Sequence, residues 1–326
     1  MLVRGVREVR GSFFKFARAS HSARSATNHT NLTNRVPSGA ELHYMRGMGR
    51  PFLKMNGTGN DFVVVEARSA PFAPSEAEVR AIADRAAGIG CDQLIAIEPA
   101  PADAPGADAF MRIWNADGGE VEACGNATRC VGWLLAEAGG RDKVTIATAA
   151  GALVAERAGE RRVRVDMGRP GLDWTQIPLA EEMDTQGIEL QVGPIDAPVL
   201  HTPGCVSMGN PHVVFFVKDV AAAPVKEVGP MIEHHHLFPE RTNVGFAEIV
   251  SRDRIRLRVW ERGVGETRAC GTGACAALVA AARRGLTGRK AVIELTGGEL
   301  EIEWREDDDH VLMTGPIEVE FTGALP

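Results

Sequence analysis

The sequence has no apolar run approaching the roughly 18 residues of a membrane-spanning helix, so a transmembrane segment is excluded from the reading. It has no basic excess either. Its 36 Lys and Arg are outnumbered by 43 Asp and Glu, a formal net charge of −7, and nothing points to a nucleic-acid partner. Cysteine is sparse. The six residues Cys91, Cys124, Cys130, Cys205, Cys270 and Cys275 form no disulfide framework in a chain of 326 and suit a reducing compartment. Residues 1–50 also lack a sustained apolar period. They carry nine Lys or Arg against two acidic residues, which leaves −14 on the remainder. This segment reads as a disordered basic extension outside the fold. Two origins stay open: an Arg-rich, acid-poor transit peptide, or an upstream extension with Met45 or Met48 as the start.

At roughly 100–200 residues per domain, the length suggests two domains. What is present is a repeat. Residues 112–125 read RIWNADGGEVEACG and residues 258–271 read RVWERGVGETRACG, with seven of fourteen positions identical. Other markers keep nearly the same offset. Cys124 lies 43 residues before Met167, and Cys270 lies 43 before Met313. Gly59-Asn60 and Gly209-Asn210 precede the two cysteines at similar distances. Two related halves are the simplest account. In each, a strand (110–114; 255–260) enters a Gly-rich turn, then an Ala-Cys-Gly element, then an Ala-rich helix (127–138; 274–284) stopped by glycine. Alternating strands follow at 144–148 and 153–156, with counterparts at 292–295 and 300–304. The expected fold is α+β, with two pseudo-symmetric halves from a duplication, each a strand-rich layer or barrel around a central helix. The first half is set at 51–168, completed by a C-terminal strand at 316–326, and the second at 169–315. The site is expected in the cleft between them.

Each Ala-Cys-Gly stands where a turn becomes a helix. Helix starts present free N–H groups and partial positive charge, which should lower a thiol's pKa and cradle a carboxylate. With the halves face to face, two thiols would flank one cleft. That arrangement suits inversion of a carbon bearing a weakly acidic hydrogen: one thiolate removes the proton from one face and the opposite thiol delivers another. A second reading is a metal or redox module built on Cys124/Cys130 and Cys270/Cys275. On a helix, however, the second cysteine of each pair lies well along from the first, which favours a core role for Cys130 and Cys275.

At these residues the chain resembles the diaminopimelate epimerases, pyridoxal-independent enzymes that use two cysteines. The likeness covers roughly residues 52–320. It rests on Lys-Met-Asn-Gly-Thr-Gly-Asn-Asp-Phe (54–62), Gly-Ile-Gly-Cys-Asp-Gln (88–93), Asn-Ala-Asp-Gly (115–118) and Ala-Cys-Gly-Asn (123–126). In the second half it rests on Ser-Met-Gly-Asn-Pro-His (207–212), Arg-Thr-Asn-Val-Gly-Phe (241–246), Glu-Arg-Gly (261–263) and Ala-Cys-Gly-Thr-Gly-Ala-Cys (269–275).

The resemblance implies that Cys124 and Cys270 are the acid/base pair, assisted by His212 and Glu261. It implies that Asn60, Gln93, Asn115, Asn210, Asn243, Glu261 and Arg262 surround the substrate, and that Gly125, Asn126, Gly271 and Thr272 bind its α-carboxylate. The implied reaction interconverts LL- and meso-diaminopimelate, a step of lysine and peptidoglycan precursor biosynthesis, without cofactor or metal. The implied partner is the small-molecule substrate, in a cytoplasmic homodimer, or an organellar one if residues 1–50 are a transit peptide. The chain departs from the family pattern at Ala127, where a second glycine is usual, and at Thr272, where serine is common. The runner-up is another two-cysteine racemase of the proline racemase type. Arg262 and the asparagines imply a second carboxylate to bind, which favours diaminopimelate. Taken singly, the asparagines also read as turn formers and Glu261-Arg262 as a surface pair.

Overall fold

In a computed structural model of the chain, residues 49–325 are described. The expected extension, with Met45 and Met48, lies outside the described residues except for its last two positions. The first repeat runs β1 (Arg50–Gly57), β2 (Asn60–Glu66), α1 (Glu76–Ala83), β3 (Gln93–Glu98), β4 (Ala109–Asn115) and β5 (Glu120–Val121). It continues with α2 (Gly125–Gly139), β6 (Lys143–Thr148), β7 (Gly151–Gly159) and β8 (Arg162–Asp166). A small ribbon of β9 (Gln191–Val192) and β10 (Leu200–His201) follows. The second repeat runs β11 (Gly204–Ser207), β12 (Pro211–Val217), α3 (Val225–Glu233), β13 (Asn243–Ser251), β14 (Arg254–Glu261) and β15 (Gly265–Thr267). It closes with α4 (Gly271–Arg283), β16 (Lys290–Leu295), β17 (Gly298–Trp304) and β18 (Val311–Pro316), and the chain ends in β19 (Glu318–Leu325).

The two repeats agree in strand register, residue by residue. β2 pairs parallel with β3 so that Phe62 faces Gln93, and β12 pairs parallel with β13 so that His212 faces Asn243. Leu94 faces Trp114 across β3 and β4 as Val244 faces Trp260 across β13 and β14. Ile113 faces Val121, and Val259 faces Thr267. Lys143 faces Glu156, and Lys290 faces Glu303. A slip of one residue would turn every side chain to the wrong face, so matched register in both copies fixes which side chains point inward. The fold is thus a strand-rich α+β arrangement of two pseudo-symmetric halves, as the repeat implied. Seventeen strands form one continuous hydrogen-bonded sheet, joined between repeats where β8 lies antiparallel to β18 and where β19 lies antiparallel to β1.

Each repeat wraps its sheet around one helix, and composition explains why. In α2 every residue from 125 to 136 is buried, and in α4 Gly271 and residues 273–281 are. A helix that is apolar on all sides has no solvent face and must sit inside. The strands supply the complement. In β14, Ile255, Leu257 and Val259 point to the core, while Arg254, Arg256 and Arg258 point out and pair with Glu299, Glu248 and Glu266. This is the period of two expected of a half-buried strand. Both helices share one apolar cluster, which includes Met313 of β18 and Val165 of β8. The helix starts are thereby held near the seam between the repeats.

Candidate functional site

Both helices begin on a cysteine. Cys124 and Cys270 are the N-cap residues of α2 and α4, with extended backbone (φ −147° and −129°), and neither side chain closes a cap hydrogen bond. A Ser, Thr, Asp or Asn at that position would satisfy one of the helix's free N–H groups itself. A cysteine leaves those donors available. The two starts also converge. A Cβ built on Gly271 would stand 3.3 Å from Asn126 Oδ1 and 2.9 Å from Met313 Sδ, and one on Gly125 would stand 2.8 Å from Met313 Cε. Glycine at these two places lets the helix starts approach across Met313. Ala127 lies within the first turn of α2, fully buried and outside the positive-φ residues, so a glycine is not needed there.

The expected lowering of the thiol pKa values is reversed. Burial pushes Cys124 up to about 11, although the N–H groups of Ala127 and Asn126 pull the other way. Burial, and the neighbouring Glu261 carboxylate, push Cys270 well above its ordinary value. The helix start is a local donor, whereas the loss of water acts on the whole group, and here desolvation wins. Both thiols are therefore held toward their protonated form. The rate of iodoacetamide labelling of Cys124 should rise with pH around a midpoint near 11, above the roughly 8.5 of a free cysteine. A midpoint below 8 would contradict this account.

The surroundings of the two sulfurs differ. Cys124 Sγ lies 3.8 Å from Asn60 Oδ1, and Asn60 Nδ2 donates to Asp92 Oδ2 at 2.8 Å. Asp92 thereby turns the Asn60 carbonyl toward the thiol. Cys270 Sγ lies 3.6 Å from Thr272 Oγ1, and the Glu261 carboxylate acts on it electrostatically. Glu261 in turn accepts from the Thr267 hydroxyl, and burial raises its pKa. Glu261 also acts electrostatically on Cys124, so the two thiols share this carboxylate. Asn210 Nδ2 points to Thr272 Oγ1 at 3.5 Å, and His212 Nε2 donates to Asn210 Oδ1 at 3.0 Å.

His212 is 1% exposed, and burial, with the charge of Arg262, holds its pKa down at about 3. The histidine is therefore neutral in the folded protein, and its interior site is matched to the neutral form. The unfolded chain takes up a proton below about 6.5, whereas the folded chain does so only near 3. Stability is thus unaffected by this group above 6.5 and falls as pH drops through that window, by about 1.4 kcal/mol per unit. His212→Gln should show a shallower acid dependence in denaturant melts between pH 6 and 4. An unchanged slope would count against it.

The remaining residues expected at the site form two matched pairs. Gln93 Nε2 donates to Asn115 Oδ1 at 3.0 Å, and Gln93 Oε1 is buried without a partner among the described residues. In the second half, Asn243 Oδ1 accepts from the Arg262 backbone N–H at 3.0 Å, and Asn243 Nδ2 donates to the Pro211 carbonyl at 2.8 Å. The Arg262 guanidinium reaches the Glu240 carbonyl at 3.0 Å and makes no ion pair with a carboxylate among the described residues. None of these four side chains hydrogen-bonds to a thiol. By register, Gln93 and Asn115 occupy in the first half the places of Asn243 and Glu261 in the second.

Sequence reasoning passed over Asp92, Thr267 and Arg129. Asp92 and Thr267 look like ordinary loop and strand residues until their partners are known. Arg129 had a signal: it is the only charged residue between Cys124 and Glu137. Cys130 and Cys275 are fully buried in the helix core. Among the described residues no group of three or more His, Cys, Asp or Glu is placed to hold a metal ion, and no helix is long and apolar enough to cross a membrane.

Comparison with known proteins bears on this geometry. The family model described as diaminopimelate epimerase matches residues 52–172 and 204–320. The diaminopimelate epimerase of Phenylobacterium zucineum (strain HLK1) is 66% identical over 279 residues, covering 86% of this chain and 99% of its own. That of Caulobacter sp. (strain K31) is 62% identical over 286 residues, covering 86% and 98%. Among solved structures, a hydroxyproline epimerase from Agrobacterium vitis aligns with a TM-score of 0.60 at 17% identity, covering 84% of this chain and 91% of its own. A probable proline racemase from Agrobacterium radiobacter K84 aligns at 0.59 and 20%, covering 85% and 93%. At such identities these two structures speak for the fold alone.

Proposed function

Because the chain belongs to the diaminopimelate epimerase family, we propose that it interconverts LL- and meso-diaminopimelate with Cys124 and Cys270 as its two proton carriers. One observation carries the assignment: two N-cap cysteines, at equivalent places in two matched repeats, stand on helix starts that converge across Met313. The enzyme is an isomerase acting at a carbon between an ammonium and a carboxylate. The N–H groups at Gly125-Asn126 and Gly271-Thr272 hold that carboxylate from both sides. In the reactive form the pair of thiols has given one proton to solvent; the resulting thiolate takes the α-proton, and negative charge spreads into the carboxylate, where fixed dipoles already point. The other sulfur, as thiol, gives its proton to the opposite face. The reaction then ends with the proton inventory of the two thiols exchanged.

The Glu261 carboxylate favours the protonated state of Cys270, which supports a role for that thiol as proton donor toward one stereoisomer. The buried, unpartnered Gln93 Oε1 is an acceptor suited to the substrate's ammonium. Arg262, with no carboxylate partner among the described residues, is suited to the distal carboxylate. The chemistry asks for no pyridoxal, since the thiols and the helix starts supply both proton transfer and charge stabilisation. The halves are taken at 51–168 and 169–315 with 316–326 returning to the first, an arrangement supported by β19 lying against β1. A cytoplasmic homodimer, as the resemblance implies, belongs to the same proposal and is checked by sedimentation velocity. The activity is tested by incubating purified protein with LL-diaminopimelate and following the meso form without added cofactor. No meso product would overturn the assignment.

A further inference from the structure

We infer that Arg129 is a positioning cation, placed at the seam of the two helix starts to face the negative charge that the bound substrate brings. This rests on the two-thiol reading above. Arg129 is 0% exposed, and it makes no ion pair with a carboxylate among the described residues. Its Nη1 donates to Asn126 Oδ1 at 2.9 Å and lies 3.4 Å from Met313 Sδ, and its Nη2 donates to Thr58 Oγ1 at 2.9 Å. Its Nε is buried without a partner among the described residues.

A buried charge with only neutral hydrogen-bond partners and an orphaned donor is costly, and removing such a charge often leaves a fold as stable or more so. The second half illustrates the alternative. Where α2 carries Arg129, five residues after its cysteine, α4 carries Cys275, which is fully buried and uncharged. The fold therefore has no general need of a cation at this place, and one half retains it nonetheless.

The geometry shows what the cation does. A guanidinium only donates, so it turns the Asn126 carbonyl toward itself. That same Oδ1 is 3.3 Å from a Cβ built on Gly271, so the contact sits between the two helix starts. The Asn126 Nδ2 group, turned the other way, makes no hydrogen bond among the described residues and is left for an anionic ligand. The charge itself acts in a desolvated region, where it is weakly screened. The titratable and charged groups around it are Cys124 and Cys130 on its own helix, Cys275 on α4 and the Arg162 cation on β8. No carboxylate is among these, so the substrate carboxylate and the reacting thiolate are the anions left for it to face.

The test uses Arg129→Met and Arg129→Lys in the full chain, with melting temperature, kcat, KM and the pH profile of kcat/KM for each. Arg129→Met should melt within a few degrees of wild type while kcat/KM falls about 100-fold or more, mostly in kcat, and the ascending limb moves to higher pH. Arg129→Lys should keep the limb near its wild-type position and recover about tenfold or more over the Met variant. Three results would overturn the inference: Arg129→Met within about threefold of wild type with an unmoved limb, failure of that variant to fold, or equal losses in both variants. If wild type itself produced no meso-diaminopimelate, the two-thiol reading would fail instead, which keeps the two failures distinguishable.

Discussion

Cys124→Ala and Cys270→Ala should each abolish inversion, yet each should still exchange the α-hydrogen of one stereoisomer. The sulfurs belong to different halves, on helix starts that meet across the seam. A variant with one thiol can therefore reach one face of the α-carbon. It can take a proton from the isomer whose hydrogen points that way and, after exchange in D₂O, return deuterium to the same face. Epimerisation needs delivery to the other face, and losing one proton carrier costs on the order of 10²–10⁴-fold even where water substitutes. The two variants should prefer opposite isomers. Their residual rates should also differ, because Glu261 acts more strongly on Cys270 than on Cys124, which has Asn60 and two N–H groups beside it. NMR of the α-position in D₂O, with each isomer separately, decides the matter. Equal exchange of both isomers by one variant, or inversion near the wild-type rate, would show that a single base suffices.

Arg262→Ala should lower kcat/KM by roughly 30- to 5,000-fold, the equivalent of about 2–5 kcal/mol for leaving one member of a charge-assisted pair unpartnered. The guanidinium is held at its base, where its backbone N–H bonds Asn243, and at its tip by the Glu240 carbonyl. It is thus oriented before any ligand arrives, with no protein carboxylate competing for it among the described residues. Arg262→Lys should recover little, because an ammonium lacks the planar two-pronged fork. Melting temperature should change little, since the side chain retains solvent contact. Values within twofold of wild type would remove Arg262 from the binding of the distal carboxylate.

Much of the architecture is legible in the sequence because it is written twice. The Ala-Cys-Gly repeats, the glycine stops and the alternating strands each depend on local pattern, and α2 and α4 fall close to where that pattern places them. What stayed hidden depends on contacts distant in sequence. The direction of the thiol pKa shifts is the clearest case: a helix start can be read from the chain, but the layers that partly cover Cys124 and bury Cys270 cannot. Thr267 acquires meaning only when β15 folds back beside β14 and brings its hydroxyl to Glu261. Asp92 matters through Asn60, 32 residues away in sequence. Arg129 could have been noticed as a lone charge in an apolar run, but its lack of a counter-ion is a fact of packing.

The partnership of β1 with β19 also bears on how the chain is made. These are the first and last strands of the described fold to leave the ribosome, and they are hydrogen-bonded along their length from Arg50–Leu325 to Asn56–Glu318. The other strands of the first half are complete at Asp166. At 5–20 residues per second, synthesis of the intervening chain takes roughly 8–30 s. For that interval one edge of β1 offers unpaired N–H and carbonyl groups to any other strand nearby. Nascent chains stalled before Glu318 should stay sensitive to protease in the first half, whereas released full-length chains should resist it. Completion of the first half therefore waits for synthesis of β19, and a chain cut short anywhere in its second half exposes the defect at its beginning.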